Sequence, residues 1–216
     1  MQLYLNTVTE LLWSSLTKLM TTREFDNFRI VGGTALSLQL GHRESVDIDL
    51  FTDLEYGSLD FTQLETKLEA LFPYVEKLSI NLVGMGKSYF IGSNEKELVK
   101  LDIFYTDPFV FPSIVEDEVR FSSIEEIAAM KLEVIANGGR KKDFWDIHEL
   151  LIKYSLDTLM SFYETRNPYG LTKSELLSKI TDFSTAEDDF TPNCFRGKVW
   201  ELIKLDIEKS VKQQSI

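Results

Sequence analysis

The chain has 216 residues, of which 44% are hydrophobic, and its 35 acidic against 23 basic residues give a net charge of −12. The apolar share supports a real core and excludes wholesale disorder, while no apolar run reaches the roughly 18–20 residues that would span a bilayer. An acidic chain repels nucleic-acid backbone except at a local basic patch, which excludes non-specific nucleic-acid binding but not a small anionic substrate at a metal site.

The elements follow in chain order. Val8, Leu11, Leu12, Ser15, Leu16 and Leu19 recur at helical spacing and predict an amphipathic first helix; the segment lacks the basic and apolar regions of a secretory leader. Residues 28–31 read as a short strand running into Gly32-Gly33, residues 34–40 as a short helix stopped by Gly41, and residues 46–51 as a second strand. Asp60 opens a helix, with Gln63 placed for a capping box, Leu64, Leu68 and Leu71 as its stripe, and Pro73 after its end. Three strands are expected over 75–83, 88–91 and 98–105, punctuated by Gly84, Gly86 and Gly92-Ser93-Asn94. After a loop marked by Pro108 and Pro112, Val119 and Phe121 suggest another short strand. Ser122 and Ser123, with Glu125 and Glu126, offer overlapping capping boxes for a helix to about Ala136, and a further helix starts near Asp143. Beyond Tyr154 the pattern is helical, with loops over 166–170 and 184–197 and a last helix from about Lys198. The expectation is an α+β fold over 1–150, with a mixed or antiparallel sheet flanked by helices, and a small helical region over 151–216.

Chemistry concentrates at Asp47-Ile48-Asp49. A strand alternates faces, so both aspartates point one way and Ile48 and Leu50 the other. Two adjacent carboxylates stay ionised cheaply only in open solvent or around a cation; Mg²⁺ suits them, since it accepts one or two carboxylates and leaves the remaining positions to substrate phosphates. Alone, Asp-X-Asp reads as a solvated pair and Gly32-Gly33 as an ordinary turn. Together they place a backbone phosphate cradle at a helix N-terminus, with the Thr34 hydroxyl in reach, one short helix from the carboxylates. In 98–105, Lys100, Asp102 and Phe104 share the face opposite Val99, Leu101 and Ile103, so a neighbouring strand brings Asp102 beside the pair as a third metal ligand or as a proton acceptor.

These residues resemble the nucleotidyltransferase fold of the polymerase-β superfamily. More narrowly, Val31-Gly32-Gly33-Thr34-Ala35-Leu36, the run from Leu40 to Phe51, the run from Ser123 to Glu133 and Gly139-Arg140-Lys141-Lys142-Asp143-Phe144-Trp145-Asp146-Ile147 are similar to the AbiEii toxin family. The resemblance implies that Gly32, Gly33 and Thr34 contact nucleotide phosphates, that Asp47 and Asp49, with Asp102, hold Mg²⁺ or Mn²⁺, and that Lys131 reaches the triphosphate. The plainer reading of Lys131 is a solvated lysine on a helix face, although the apolar neighbours Met130 and Leu132 favour partial burial. By the same resemblance Asp143 orients Lys131 or substrate; a helix cap is the compatible alternative. Arg43 and Ser45 bind phosphate or brace the aspartate strand. Gly-Gly stands where the superfamily often has Gly-Ser.

The activity implied is transfer of a nucleoside monophosphate from a nucleoside triphosphate to a hydroxyl on RNA, such as a tRNA end, or on protein. An antitoxin partner and no membrane association are implied with it. A nucleotide-sensing module on the same fold is the competing reading, and a metal-dependent glycosyltransferase fits the glycine turn poorly. For RNA, a basic rim of Arg43, Lys87, Lys100, Arg140, Lys141 and Lys142 is expected. His42 is expected on a surface turn and His148 in a structural role. The lone Cys194 reads as a half-buried small residue and, with no leader, points to a reducing cytoplasm.

Overall fold

The computed structural model describes residues 2–78 and 84–213. Among these residues seven strands form one mixed sheet in the order β3-β4-β5-β2-β1-β7-β6. They are β1 (Arg29–Ile30), β2 (Asp47–Thr52), β3 (Tyr74–Lys77), β4 (Gly86–Asn94), β5 (Glu97–Tyr105), β6 (Ser113–Glu116) and β7 (Val119–Ser122). The central pair β2–β5 is parallel, as is β1–β7; the other neighbours run antiparallel. The strand expected over 75–83 is present through Lys77, and residues 79–83 lie outside the described residues.

Among the described residues there are eight α-helices: α1 (Glu10–Met20), α2 (Gly32–Leu40), α3 (Phe61–Leu71), α4 (Ile124–Ala136), α5 (Lys141–Lys153), α6 (Leu156–Arg166), α7 (Lys173–Ile180) and α8 (Trp200–Lys212); α6 and α7 pack on α4, and α8 on α5. Their starts follow local chemistry. The side chains of Thr9, Asp60 and Ser123 each accept the backbone N–H three residues on, satisfying a donor that a helix leaves orphaned. Gly41 ends α2 at φ 69°, a left-handed conformation that glycine adopts without strain. Glu126 does not close the capping box expected of it. Its carboxylate is buried instead, accepting the Val110 and Phe111 N–H groups and pairing with Arg166 of α6.

Strand periodicity fixes which residues enter the core. Ile48 and Leu50 of β2, with Leu101 and Ile103 of β5, are fully buried, and α1 packs against both strands. One continuous apolar cluster runs from these residues to Leu159, Met160, Tyr163, Leu176, Ile180, Trp200, Ile203 and Ile207 of the later helices. At 25 cal/mol per Å², burying such side chains contributes roughly 1.5–3 kcal/mol each. The Trp145 and Trp200 rings stack at 5.8 Å, which docks α8 on α5.

The β6–β7 hairpin is only half foreseen. Its two-residue turn is Asp117-Glu118, both at positive φ (48° and 63°), where such turns usually carry Asn or Gly. Without that signal β6 is not visible as a strand.

Candidate active site

Asp47 and Asp49 lie on one face of β2, and Asp49 is paired in register with Asp102 of β5. The parallel β2–β5 pairing therefore brings together the three carboxylates that the sequence suggested. Burial first, then the charges of Asp102 and Asp47, push the Asp49 carboxyl up to about 6, against the attraction of Lys131 and Lys142. Lys100, opposite Asp47 in the register, turns to Asp102, with Nζ 2.6 Å from Oδ2. Burial opposes the Lys100 charge, but Asp102, Asp47 and Asp49 outweigh it and raise its pKa. The other Asp102 oxygen, Oδ1, is buried without a hydrogen-bond partner. Among the described residues no three His, Cys, Asp or Glu side chains are disposed as a ready metal cage. What β2 offers is a two-carboxylate platform, the number Mg²⁺ takes when phosphates complete its shell.

The glycine turn is shaped by what lies against it. Gly32 opens α2 at φ 67°, and a Cβ there would sit 2.6 Å from Asp49 Oδ2. Glycine is thus required twice, by conformation and by space. A Cβ on Gly33 would strike the Arg43 guanidinium. Thr34 is buried; its hydroxyl donates to the Asp47 main-chain oxygen and shares a 2.7 Å hydrogen bond with the Ser45 hydroxyl. Thr34 and Ser45 brace the aspartate strand from within.

Behind the turn lies a buried charge cluster centred on Asp146, which sequence reasoning did not single out. Arg43 forks onto Asp146, Nε to Oδ1 at 2.7 Å and a terminal nitrogen to Oδ2 at 2.8 Å. Lys131 sits 2.9 Å from Asp146 and 2.5 Å from Asp143, and His42 Nε2 lies 2.8 Å from Asp146. Burial raises the Asp146 pKa, yet Arg43 and Lys131, with the His42 hydrogen bond, hold it well below the usual carboxylate range. Burial likewise lowers the Lys131 pKa, and Asp146 and Asp143 more than reverse it. Asp143 does two jobs. Its second oxygen accepts the Arg140 N–H in the capping box of α5, which starts at Lys141 rather than at Asp143. The available signal was spacing: Asp143 and Asp146 are three apart on one helix face.

Several expectations are corrected here. His42 is buried in this cluster, not on a surface turn. The basic rim does not form as a continuous feature. Arg43 is buried on Asp146, Lys87 pairs with Glu65, Lys100 with Asp102 and Arg140 with Asp189, while buried Lys141 lies 5.5 Å over the Trp200 ring. Each cation finds a nearer acidic or aromatic partner, as a chain of this net charge favours. Lys142 is half-exposed, with Nζ 3.9 Å from Asp47 Oδ2. His148 bonds Asp206 of α8 at 3.2 Å, a structural contact, and Cys194 is half-buried.

A cleft of about 240 Å³ opens beside Asp47, lined among others by Val46, Arg140, Lys142, Phe190 and Asn193. Its outer wall comes from the loop after α7. Arg43 and Cys194 form an antiparallel bridge, with the Glu44 N–H donating to Asn193 O and the Phe195 N–H to His42 O, both at 2.9 Å.

The family model described as the nucleotidyl transferase AbiEii toxin of type IV toxin–antitoxin systems matches residues 15–204. An uncharacterized protein of Aquifex aeolicus is 29% identical over 210 residues, covering 92% of this chain and 93% of that one. Among solved structures, MenT4, a nucleotidyltransferase toxin from Mycobacterium tuberculosis, superposes with a TM-score of 0.60 at 15% identity, covering 93% of this chain and 82% of its own. JHP933 from Helicobacter pylori does so with a TM-score of 0.53 at 20% identity, covering 94% and 88%. The two structures share the fold. No helix among the described residues is long and apolar enough to cross a membrane.

Proposed function

The chain belongs to the AbiEii nucleotidyltransferase toxin family, and from that membership we propose that it transfers a nucleoside monophosphate from a nucleoside triphosphate to a hydroxyl acceptor, with Mg²⁺ or Mn²⁺ held by Asp47 and Asp49. The observation that carries the reading is the close approach of Asp49 to Gly32: the carboxylate platform lies so near the N-terminus of α2 that a Cβ on Gly32 would sit 2.6 Å from Asp49 Oδ2. A cation there, when bound, offsets the repulsion among Asp47, Asp49 and Asp102 and polarises the phosphoryl oxygens.

The chain's own groups divide the remaining work. Free N–H groups at the start of α2 receive phosphate oxygens, and the helix dipole favours their charge. Lys142, half-exposed beside Asp47, contacts the triphosphate. Lys131 is tied to Asp143 and Asp146, so its part is to position α4 and α5 around the site rather than to reach the substrate. Asp102 lies beside Asp49, paired with Lys100, and takes the acceptor proton. The acceptor oxygen then bonds to the α-phosphorus as the bond to pyrophosphate breaks.

The acceptor is RNA, such as a tRNA end, or a protein side chain, in the cytoplasm. The setting is a toxin–antitoxin pair of the AbiEii type with a cognate antitoxin. Incubation of the protein with each labelled triphosphate, Mg²⁺ and total cellular RNA and protein tests this. Label should pass to a macromolecule with one or a few triphosphates, and chelation should stop it. Absence of transfer to any macromolecule, with triphosphate binding intact, would favour a nucleotide-sensing module.

A further inference from the structure

We propose that the loop over residues 189–193 is a nucleobase-binding edge, with the Phe190 ring stacking on the base of a nucleotide whose phosphates lie against Lys142 and Arg140. The inference rests on the nucleotidyltransferase reading above and adds to it the part of the cleft that recognises a base.

Phe190 is 88% exposed, although its loop is not loosely held. At one end Asp189 accepts the Arg140 fork at 3.1 and 3.2 Å and the Lys141 N–H at 3.1 Å. At the other, Asn193 meets Glu44 through its main-chain oxygen at 2.9 Å and through its side-chain amide at 3.1 Å. An aromatic ring in water, carried on a loop pinned at both ends, has little entropy left to lose when a ligand covers it. Val46, 59% exposed, lines the same cleft next to Asp47.

The chemistry of the walls selects the ligand class. One part is planar and apolar; the neighbouring part holds half-exposed Lys142 and the outer edge of Arg140, whose fork is already shared with Asp189, beside the carboxylates of Asp47 and Glu44. A ligand that matches both has a flat π-face joined to an anionic tail, which describes a nucleotide and not an acidic peptide or a lone phosphate. Another fully exposed aromatic, Tyr169, lacks this setting: Arg166 beside it is buried and spent on Glu126, Glu133 and Thr106. The base belongs either to the triphosphate donor or to the nucleotide that presents the acceptor hydroxyl.

Calorimetric titrations distinguish these sources. Wild type, Phe190→Ala and Phe190→Trp are titrated in Mg²⁺ with three probes: the four nucleoside triphosphates, a short oligoribonucleotide with a free 3′-hydroxyl, and inorganic tripolyphosphate, which has no base. Phe190→Ala should weaken one base-bearing probe by about tenfold and leave tripolyphosphate unchanged, and Phe190→Trp should restore binding. Loss confined to triphosphates assigns the donor base; loss confined to the oligoribonucleotide assigns the acceptor. Equal affinities of wild type and Phe190→Ala for every probe would overturn the proposal, as would no binding of any base-bearing probe to wild type. Asp47→Asn, titrated alongside, addresses the parent reading separately. If it leaves Mg²⁺-dependent triphosphate binding unaltered, the metal platform is wrong, whatever Phe190 does. Phe190 is solvent-exposed, so thermal melts of its variants should superpose on wild type.

Discussion

Two clusters of ionisable side chains meet at the Gly32-Gly33 turn, one against each glycine, and they are built on opposite electrostatic plans. Asp49, against Gly32, is surrounded by like charge and is pushed up to about 6. Asp146, forked by the Arg43 that lies against Gly33, is surrounded by opposite charge and stays ionised deep in the protein. The buried cluster is balanced in charge: its acids and cations pair with one another, and His42 joins through Nε2 while its Nδ1 stays buried without a partner. The half-exposed cluster is left in deficit by its own fold. Similar residue types therefore carry different meanings, and charge left unbalanced beside a cleft is where a ligand cation belongs.

The largest separation between the clusters should come from neutralising one aspartate in each. Asp47→Asn or Asp49→Asn should reduce nucleotidyl transfer by about a hundredfold or more while the metal-free protein melts at the same temperature or higher, since a repulsion is removed. A fall in activity that merely tracks unfolding would erase the contrast. Asp146→Ala should do the reverse. It strands Arg43 and Lys131 in the interior and should cost about 3–5 kcal/mol in denaturant unfolding. If Asp146→Ala is as stable as wild type, the buried cluster is not a structural brace.

The pH response sharpens the same comparison. The Asp49 carboxyl binds its proton more tightly folded, at about 6, than at its ordinary value of 3.8. Its contribution to stability is therefore fully present below the unfolded value and is lost as pH rises from about 4 to about 6. In chelator, wild type should lose stability over that window relative to Asp49→Asn, and Mg²⁺ affinity should rise over it as the proton leaves. Asp146 is shifted down, so its contribution is present above its ordinary value of 3.8 and fades only as pH falls below it. Matched melts from pH 3 to 8 would show the two slopes; parallel profiles for wild type and Asp49→Asn would contradict the assignment. The smallest effect should follow Lys100→Met. The Lys100–Asp102 pair is partly solvated, so stability should change by under about 1 kcal/mol. Mn²⁺ titration followed by electron paramagnetic resonance should instead show several-fold tighter binding, because Asp102 Oδ2 becomes free to ligate.

The half-exposed cluster was legible in the sequence because strand periodicity is local. The alternation in 46–51 and 98–105 assigns Asp47, Asp49 and Asp102 to faces without knowledge of the fold, and the structure adds only the β2–β5 register. The buried cluster was not legible. Its members lie on α4, on α5 and in the segment before β2, and pairs such as Arg43–Asp146 join residues about a hundred positions apart. No local period reports such a contact. Lys131, flanked by Met130 and Leu132, suggested partial burial, and the family resemblance set Asp143 beside it, but nothing pointed to Asp146. The surface rim failed for a related reason: a lysine's position in sequence says nothing of the acid it will meet, such as Glu65 for Lys87. Capping residues read well because they act within one turn of helix.

The bridge between Arg43 and Cys194 sets an order of events while the chain is being made. The glycine turn, the carboxylates and the buried cluster are all encoded by Asp146, yet the cleft beside Asp47 has no outer wall until residues 189–193 have emerged from the ribosome. On the proposed reading, a chain that stops before them holds its charged machinery without the wall against which the base is to stack. The stack of Trp200 on Trp145 then docks α8, the helix that follows this wall, on α5. For a member of this family, the proposed base-binding loop would thus make the first turnover wait on translation of residues 189–193.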